Sequence, residues 1–295
     1  MDLTHIRFEG SHTDRVSLGP RVLVRNPSLA RRRSPARDEP VAGGLPAHIL
    51  SQHGLDPARY RHRPLERRIG ACLRALRVSS EVAAWERVGS DREAQTIALN
   101  ALLIGVSSFF RDAAVFEVVR TTVVDAMKRL GRPPRVWSVG CSRGAELYSV
   151  AMILEQEGLI DGAELLGTDC RADAISSARE GMFEPDHVAN LDRVTRDRYF
   201  ERTRATWRIA SSLRHHTRWQ IADATRVEPV GLWDLVLCRN LVIYLHEFAG
   251  QALLQDIASA LAPGGFLVVG RAERPPENRG LRAVGTCIYQ NNVIA

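Results

Sequence analysis

The 295-residue chain is 45% hydrophobic and 25% charged, the balance of an ordinary globular protein, and has room for one sizeable domain plus a small one. It holds no apolar run of about 18 residues, which excludes a membrane-spanning helix. The net charge of +6 comes almost wholly from arginine, Lys128 being the only lysine, so the total argues weakly for nucleic acid and local clusters say more.

Residues 1–44 show no sustained period. "PSLARRRSPARDEPVAGG" cannot bury enough apolar surface to offset ordering entropy, so a disordered extension is predicted, with Arg31-Arg32-Arg33 solvated. No basic, apolar and small-residue secretion pattern opens the chain. Cys72, Cys141, Cys170, Cys238 and Cys287 lack metal-ligand spacing. A cytoplasmic protein without a metal site is the expectation.

From 45 to 114 the period is helical. In "PLERRIGACLRALRV", Leu65, Ile69, Cys72, Leu73 and Leu76 recur at steps of three and four and share one face. Arg63, Arg67, Arg74 and Arg77 gather opposite. Such cations repel one another unless a negative partner arrives, while a solvated polar face is the plainer reading; both stay open. "SDREAQTIALNALLI" predicts another helix, with Ser90 as N-cap and Glu93 completing a capping box.

Residues 115–295 form the third predicted segment. From Arg135 the chain alternates: strand "RVWSVG", a helix through Leu154, strand "AELLGTD", and a helix near "DAISSARE". After a polar middle come strand "WDLVLC", helix "EFAGQALLQDIASALA", strand "GFLVVG" and a last strand in "LRAVGTCIYQ". The alternation predicts an α/β fold, a mostly parallel sheet with helices on both faces. Ligands on such sheets lie at the carboxyl ends of the strands.

In "GCSRGAELYS", Gly140 and Gly144 allow a tight turn and close ligand approach, and the next helix presents free N–H groups. The stretch is neither the dinucleotide G-x-G-x-x-G nor a P-loop, which steers away from NAD and ATP. Asp169, ending the second strand, suits two ribose hydroxyls, or else caps a helix. Asp223 in "WQIADAT" suits an exocyclic amine. "DLVLCRN" empties an apolar strand into Cys238, Arg239 and Asn240. An adenosine pocket without phosphate clamps fits S-adenosylmethionine (SAM).

In order and approximate spacing, "GVSSFFRD", "VWSVGCSRGAELYSVAM", "LLGTDCRADAISSAREGMF", "DLVLCRNLVIYL" and "LAPGGFLVVGRAE" resemble the chemotaxis receptor methyltransferase (CheR) family. "LSQHGLDPARYRHRPLERRIGACLRAL" resembles its helical N-terminal domain, so the likeness runs from about Leu45 to the C-terminus. The resemblance implies a Rossmann-like class I SAM-methyltransferase sheet, mostly parallel with an antiparallel last strand, preceded by a small all-α domain. It also implies SAM-dependent esterification of glutamates on receptor signalling helices. By position, Ser107 stands for the family's Thr, Arg111 for its Arg and Glu146 for one of two acids after the glycine. Asp169 matches the ribose-binding acid, Arg239 and Asn240 the pair near the methionyl end, and Tyr244 the tyrosine beside the methyl donor.

Some positions depart from the family pattern. Gly105 replaces an Asn, Ala145 the second acid, Leu147 a Pro and His246 an Asp; "GRAE" replaces "GHSE", and Asp223 sits where Asn is frequent. The stretch from Tyr199 to Trp219 should be the family's small β-subdomain, here without the Gly-rich loop that holds a receptor-tail peptide.

A glutamate acceptor (pKa ~4.3) is already ionised, so the expected task is alignment, given to Arg111 and Tyr244. The plainer alternatives are a salt bridge from Arg111 to Asp112 and a packed Tyr244 with its hydroxyl in solvent. The expected partner is an acidic, chemoreceptor-like helix docked on Arg63, Arg67, Arg74 and Arg77, with the protein a monomer and nucleic acid not a partner. Competing functions are methylation of a small molecule or RNA, and a non-catalytic signalling protein on the same fold.

Overall fold

A computed structural model describes residues 39–105, 107–226, 231–276 and 280–292. The Arg31-Arg32-Arg33 run and nearly all of the predicted extension lie outside them. The N-terminal part is helical throughout: α1 (Gly44–Gln52), α2 (His62–Glu66), α3 (Ile69–Leu76), α4 (Glu81–Ser90) and α5 (Arg92–Leu102).

The helix expected across "PLERRIGACLRALRV" is two helices, interrupted at Arg67-Arg68. Its apolar side holds across the break: Leu65, Cys72 and Leu76 are buried, with Ile69 and Leu73 packed against the same core. Arg63, Arg67, Arg74 and Arg77 are exposed, as their spacing requires. The predicted cap of α5 is displaced by one residue. Asp91, in extended backbone, accepts from Glu93 N at 2.8 Å. Ser90 instead closes α4 by donating to Glu86 O at 2.9 Å. The hydroxyl returns to its own helix because α4 runs through Ser90, leaving only Asp91 between the two helices.

After α6 (Ala113–Val118), a π turn and α7 (Val124–Met127), the sheet begins. It contains β1 (Arg135–Val139), β2 (Glu164–Asp169), β6 (Thr217–Ile221), β7 (Trp233–Cys238), β8 (Leu261–Val269), β9 (Leu281–Gly285) and β10 (Ile288–Asn291), ordered β6-β2-β1-β7-β8-β10-β9. The pairings β6·β2·β1·β7·β8 are parallel, and β10 runs antiparallel to β8. Every residue of β7 is buried, as expected of a strand covered on both faces. The expected single last strand is a hairpin, β9 with β10, turned at Thr286-Cys287 with Cys287 at φ 64°.

Helices α8 (Ala145–Gln156) and α9 (Ala172–Glu180) follow β1 and β2. A small sheet, β3-β5-β4, is built from β3 (Met182–Phe183), β4 (Phe200–Arg202) and β5 (Trp207–Ile209), beside α10 (Pro185–Val188), α11 (Arg193–Tyr199) and α12 (Ser211–Arg214). It therefore starts earlier than the expected stretch from Tyr199 to Trp219. Trp219 belongs to β6, at the edge of the main sheet, because "TRWQI" pairs with β2. Helix α13 (Glu247–Ser259) carries the chain back to β8. Together Asp38–Ala295 form one compact unit.

Candidate active site

The central strands deliver their last residues to one edge. Beyond β1, Gly140 turns the chain at φ 67° and Ser142 at φ 52° before α8 starts. A Cβ on Gly140 would press on the Leu241 side chain at 3.1 Å. Gly144 turns the chain as expected, at φ 86°, but the space left by its missing side chain serves another neighbour. A Cβ there would overlap the Trp219 indole, so this glycine makes room for a core ring rather than for a ligand.

Asp169 ends β2 and is buried to 7% exposure. Its Oδ2 accepts from Ser142 N at 2.9 Å and Arg171 Nη2 at 3.1 Å. Its Oδ1 accepts from Arg171 N and Nε, both at 3.0 Å. Beyond β7, Asn240 adopts φ 57°, and the loop is fixed by buried Glu273. Glu273 Oε2 accepts from Asn240 N at 2.9 Å and Gly270 N at 2.7 Å, and Oε1 accepts from Val242 N at 2.8 Å.

Arg239 lies inside an ion network. Its side chain, 3% exposed, donates to Glu146 Oε1 at 3.2 Å and to Asp112 Oδ2 at 2.6 Å. Asp112 is also held by Arg271 at 3.1 Å. Burial pushes the Glu146 carboxyl up, and the neighbouring Arg239 opposes that shift.

Ser107, Arg111, Gly140, Glu146, Asp169, Arg239, Asn240 and Tyr244 border one solvent-open cleft of about 1040 Å³. Asp223 is the one predicted site residue outside that cleft; it lines an adjoining hollow, whose wall includes Gly140, Asp169 and Leu241 as well. Its Oδ1 caps Thr225 N at 2.9 Å, while the buried Oδ2 has no hydrogen-bond partner. Arg226 Nε lies 3.8 Å from it. Among the described residues, no three His, Cys, Asp or Glu side chains cluster as metal ligands would. No helix of the described residues is long and apolar enough to cross a membrane.

Three residues of this site escaped the sequence reading. Tyr60, from the helical part, lines both the cleft and the hollow, because the chain at Arg59–Arg61 pairs with the loop after β7. Arg61 N donates to Tyr244 O at 2.9 Å, and His246 N to Arg59 O at 2.7 Å. Burial, with Cys170 and Asp223 nearby, keeps the Tyr60 phenol well above its ordinary pKa and hence neutral. The others are Glu273 and Arg171. Glu273 lies in the quoted "GRAE" without being singled out there, and Arg171 left a local trace: an arginine at a helix N-cap, where Ser, Thr, Asp or Asn is favoured.

The donor set suits SAM. Carboxylates from two strand–helix junctions, Glu146 and Asp169, line one solvent-open cleft, and an Asp223 oxygen without a hydrogen-bond partner lies in the adjoining hollow, placed for an exocyclic amine. Sheet order, strand-end acids and glycine turn together define a SAM-dependent methyltransferase.

The chain belongs to the CheR methyltransferase family: the model of that family's SAM-binding domain matches residues 105–287. It is 28% identical over 193 residues to "Chemotaxis protein methyltransferase 2" of Vibrio cholerae, covering 62% of this chain and 67% of that one. It is 26% identical over 239 residues to "Chemotaxis protein methyltransferase" of Listeria monocytogenes, covering 80% and 91%. Among solved structures, a TehB-like SAM-dependent methyltransferase from Corynebacterium glutamicum aligns over 61% of this chain and 94% of its own. The identity there is 16% and the TM-score 0.35.

Proposed function

We propose that this protein methylates glutamate side chains on an acidic helix of a protein substrate, of the chemoreceptor signalling type. The observation that carries the reading is the shared cleft: Arg111 and Tyr244 border the same space as Glu146 and Asp169, so acceptor-orienting and cofactor-holding groups open onto one another. The chemotaxis methyltransferases among its relatives support the substrate class. In this reading the helices between Gly44 and Leu102 dock the substrate, and the residues from Ser107 onward do the chemistry.

Asp169 would hold the ribose and Asp223 the adenine amine, with Ser107, Gly140, Glu146 and Asn240 around the methionyl part. When bound, SAM supplies an electrophilic methyl carbon on a positively charged sulfur. A glutamate acceptor, with pKa ~4.3, is ionised at neutral pH, so no residue need remove a proton. Arg111 attracts that carboxylate, and the Tyr244 hydroxyl donates a hydrogen bond that turns one oxygen toward the methyl carbon. Alignment of this kind contributes about 7–11 kcal/mol to lowering a barrier. Holding the carboxylate more tightly would stabilise the ground state and slow transfer. Arg239 is neutralised by Glu146 and Asp112, so its part is to position Glu146 and not to touch the acceptor.

The test uses SAM tritiated on the methyl group and a chemoreceptor signalling fragment. Label should enter the protein and be released by alkali as methanol, with Arg111→Ala and Tyr244→Phe each lowering kcat/KM. Alkali-stable label, or label only in RNA or small-molecule fractions, refutes the reading.

A further inference from the structure

The Asp169 carboxylate offers two lone pairs on each oxygen, and all four are engaged. Backbone amides take one on each: Arg171 N on Oδ1 at 3.0 Å and Ser142 N on Oδ2 at 2.9 Å. The Arg171 guanidinium takes the others, Nε on Oδ1 at 3.0 Å and Nη2 on Oδ2 at 3.1 Å. A vicinal diol presents a carboxylate with the same two-donor fork. We propose that Arg171 occupies the ribose-diol position on Asp169 and competes with the cofactor for it, which makes Arg171 a determinant of cofactor affinity and of diol recognition. The proposal rests on the reading of Asp169 as the ribose-binding acid.

Three features show the arrangement to be built. Arg171 is the N-cap residue of α9, yet its side chain makes no capping bond and turns toward Asp169. Its Nη1 donates to Leu103 O at 3.2 Å, which fixes the guanidinium from the opposite side. Finally, a Cβ on Gly105 would overlap both Nη atoms, so the fork fits only because residue 105 has no side chain. Gly105 and Arg171 are therefore one exchange: the space an Asn would fill at 105 is taken by a guanidinium from α9. Buried to 8% exposure, that guanidinium must leave Asp169 before a diol can enter. The apparent affinity falls by the fraction of molecules in which it has left.

The experiment is calorimetric titration of the full chain with S-adenosylhomocysteine, the demethylated cofactor, and with its 2′,3′-dideoxy analogue. Arg171→Ser restores an ordinary helix cap and frees two acceptor positions. It should bind S-adenosylhomocysteine roughly tenfold tighter than wild type, the scale of a displaced charge-assisted hydrogen bond. The dideoxy analogue should gain nothing, so the ratio between the two ligands widens by the same factor. Arg171→Lys keeps the charge but cannot fork; it should fall between, and it carries the test if Arg171→Ser melts below the assay temperature. Unchanged or weaker binding by both variants, with Asp169→Asn weakening the wild type, overturns the competition and leaves the ribose reading intact. If Asp169→Asn changes nothing in either background, the ribose reading fails and takes this proposal with it.

Discussion

Glu273 offers the sharpest mechanical test of how the cleft is held open. It sits just beyond β8, is 2% exposed, and accepts three backbone N–H groups: Asn240 and Gly270 on Oε2, Val242 on Oε1. Glu273→Gln keeps the shape but turns one acceptor into a donor. In the better amide orientation the carbonyl oxygen keeps Asn240 and Gly270, while the NH₂ group opposes Val242 N. One charge-assisted bond is lost and two are weakened; at about 1.5–3 kcal/mol per bond to a charged group, the change costs roughly 2–4 kcal/mol. At about 2–4 °C per kcal/mol for a chain of this size, the melting temperature should fall by roughly 5–15 °C. Because Asn240 borders the cleft, S-adenosylhomocysteine should also bind more weakly to the variant. Circular-dichroism melting and calorimetry read the two effects separately. A melting temperature within about 1 °C of wild type and an equal dissociation constant would show that Glu273 does not fix this loop.

Two further outcomes follow from charge. Reversing Arg67 and Arg74 to Glu should raise KM for an acidic helical substrate at low ionic strength and leave S-adenosylhomocysteine binding alone. The effect should fade toward 1 M salt, where the screening length is about 3 Å; an unchanged KM at low salt refutes docking on this face. Glu155 ties α8 to α11 through the Tyr199 hydroxyl at 2.5 Å and Arg198 at 2.8 and 2.9 Å. Burial raises its pKa, but the bonds from Tyr199 and Arg198 outweigh that and leave it lowered. A lowered folded-state pKa stabilises above the ordinary carboxylate range and is lost as pH falls through the folded value. Glu155→Gln should therefore melt below wild type at neutral pH, with the gap closing below pH ~4. A gap independent of pH contradicts the assignment.

What the sequence disclosed and what it hid divide along a physical line. Gly140, Asp169, Arg239 and Asn240 were legible because a strand's end is a local feature, and an α/β sheet gathers such ends at one edge. Local rules failed only at boundaries. The apolar face of "PLERRIGACLRAL" runs unbroken through the Arg67-Arg68 interruption, so periodicity could not reveal it. "LRAVGTCIYQ" is too short to separate one strand from two. The residues that escaped act across distance. Arg171 reaches Leu103 over 68 positions, Glu273 grips Asn240 over 33, and Tyr60 enters the cleft from the other part of the chain. Read alone, Gly105 is only the replacement of an Asn. Beside Arg171 it is the space a large side chain needs, and the two departures become a single substitution of one donor for another. Departures from a family pattern therefore have to be weighed by the volumes they share, since a vacated volume in a packed interior is filled by a neighbour. By that measure the unusual feature of this cleft is a gained guanidinium on Asp169 rather than a missing amide.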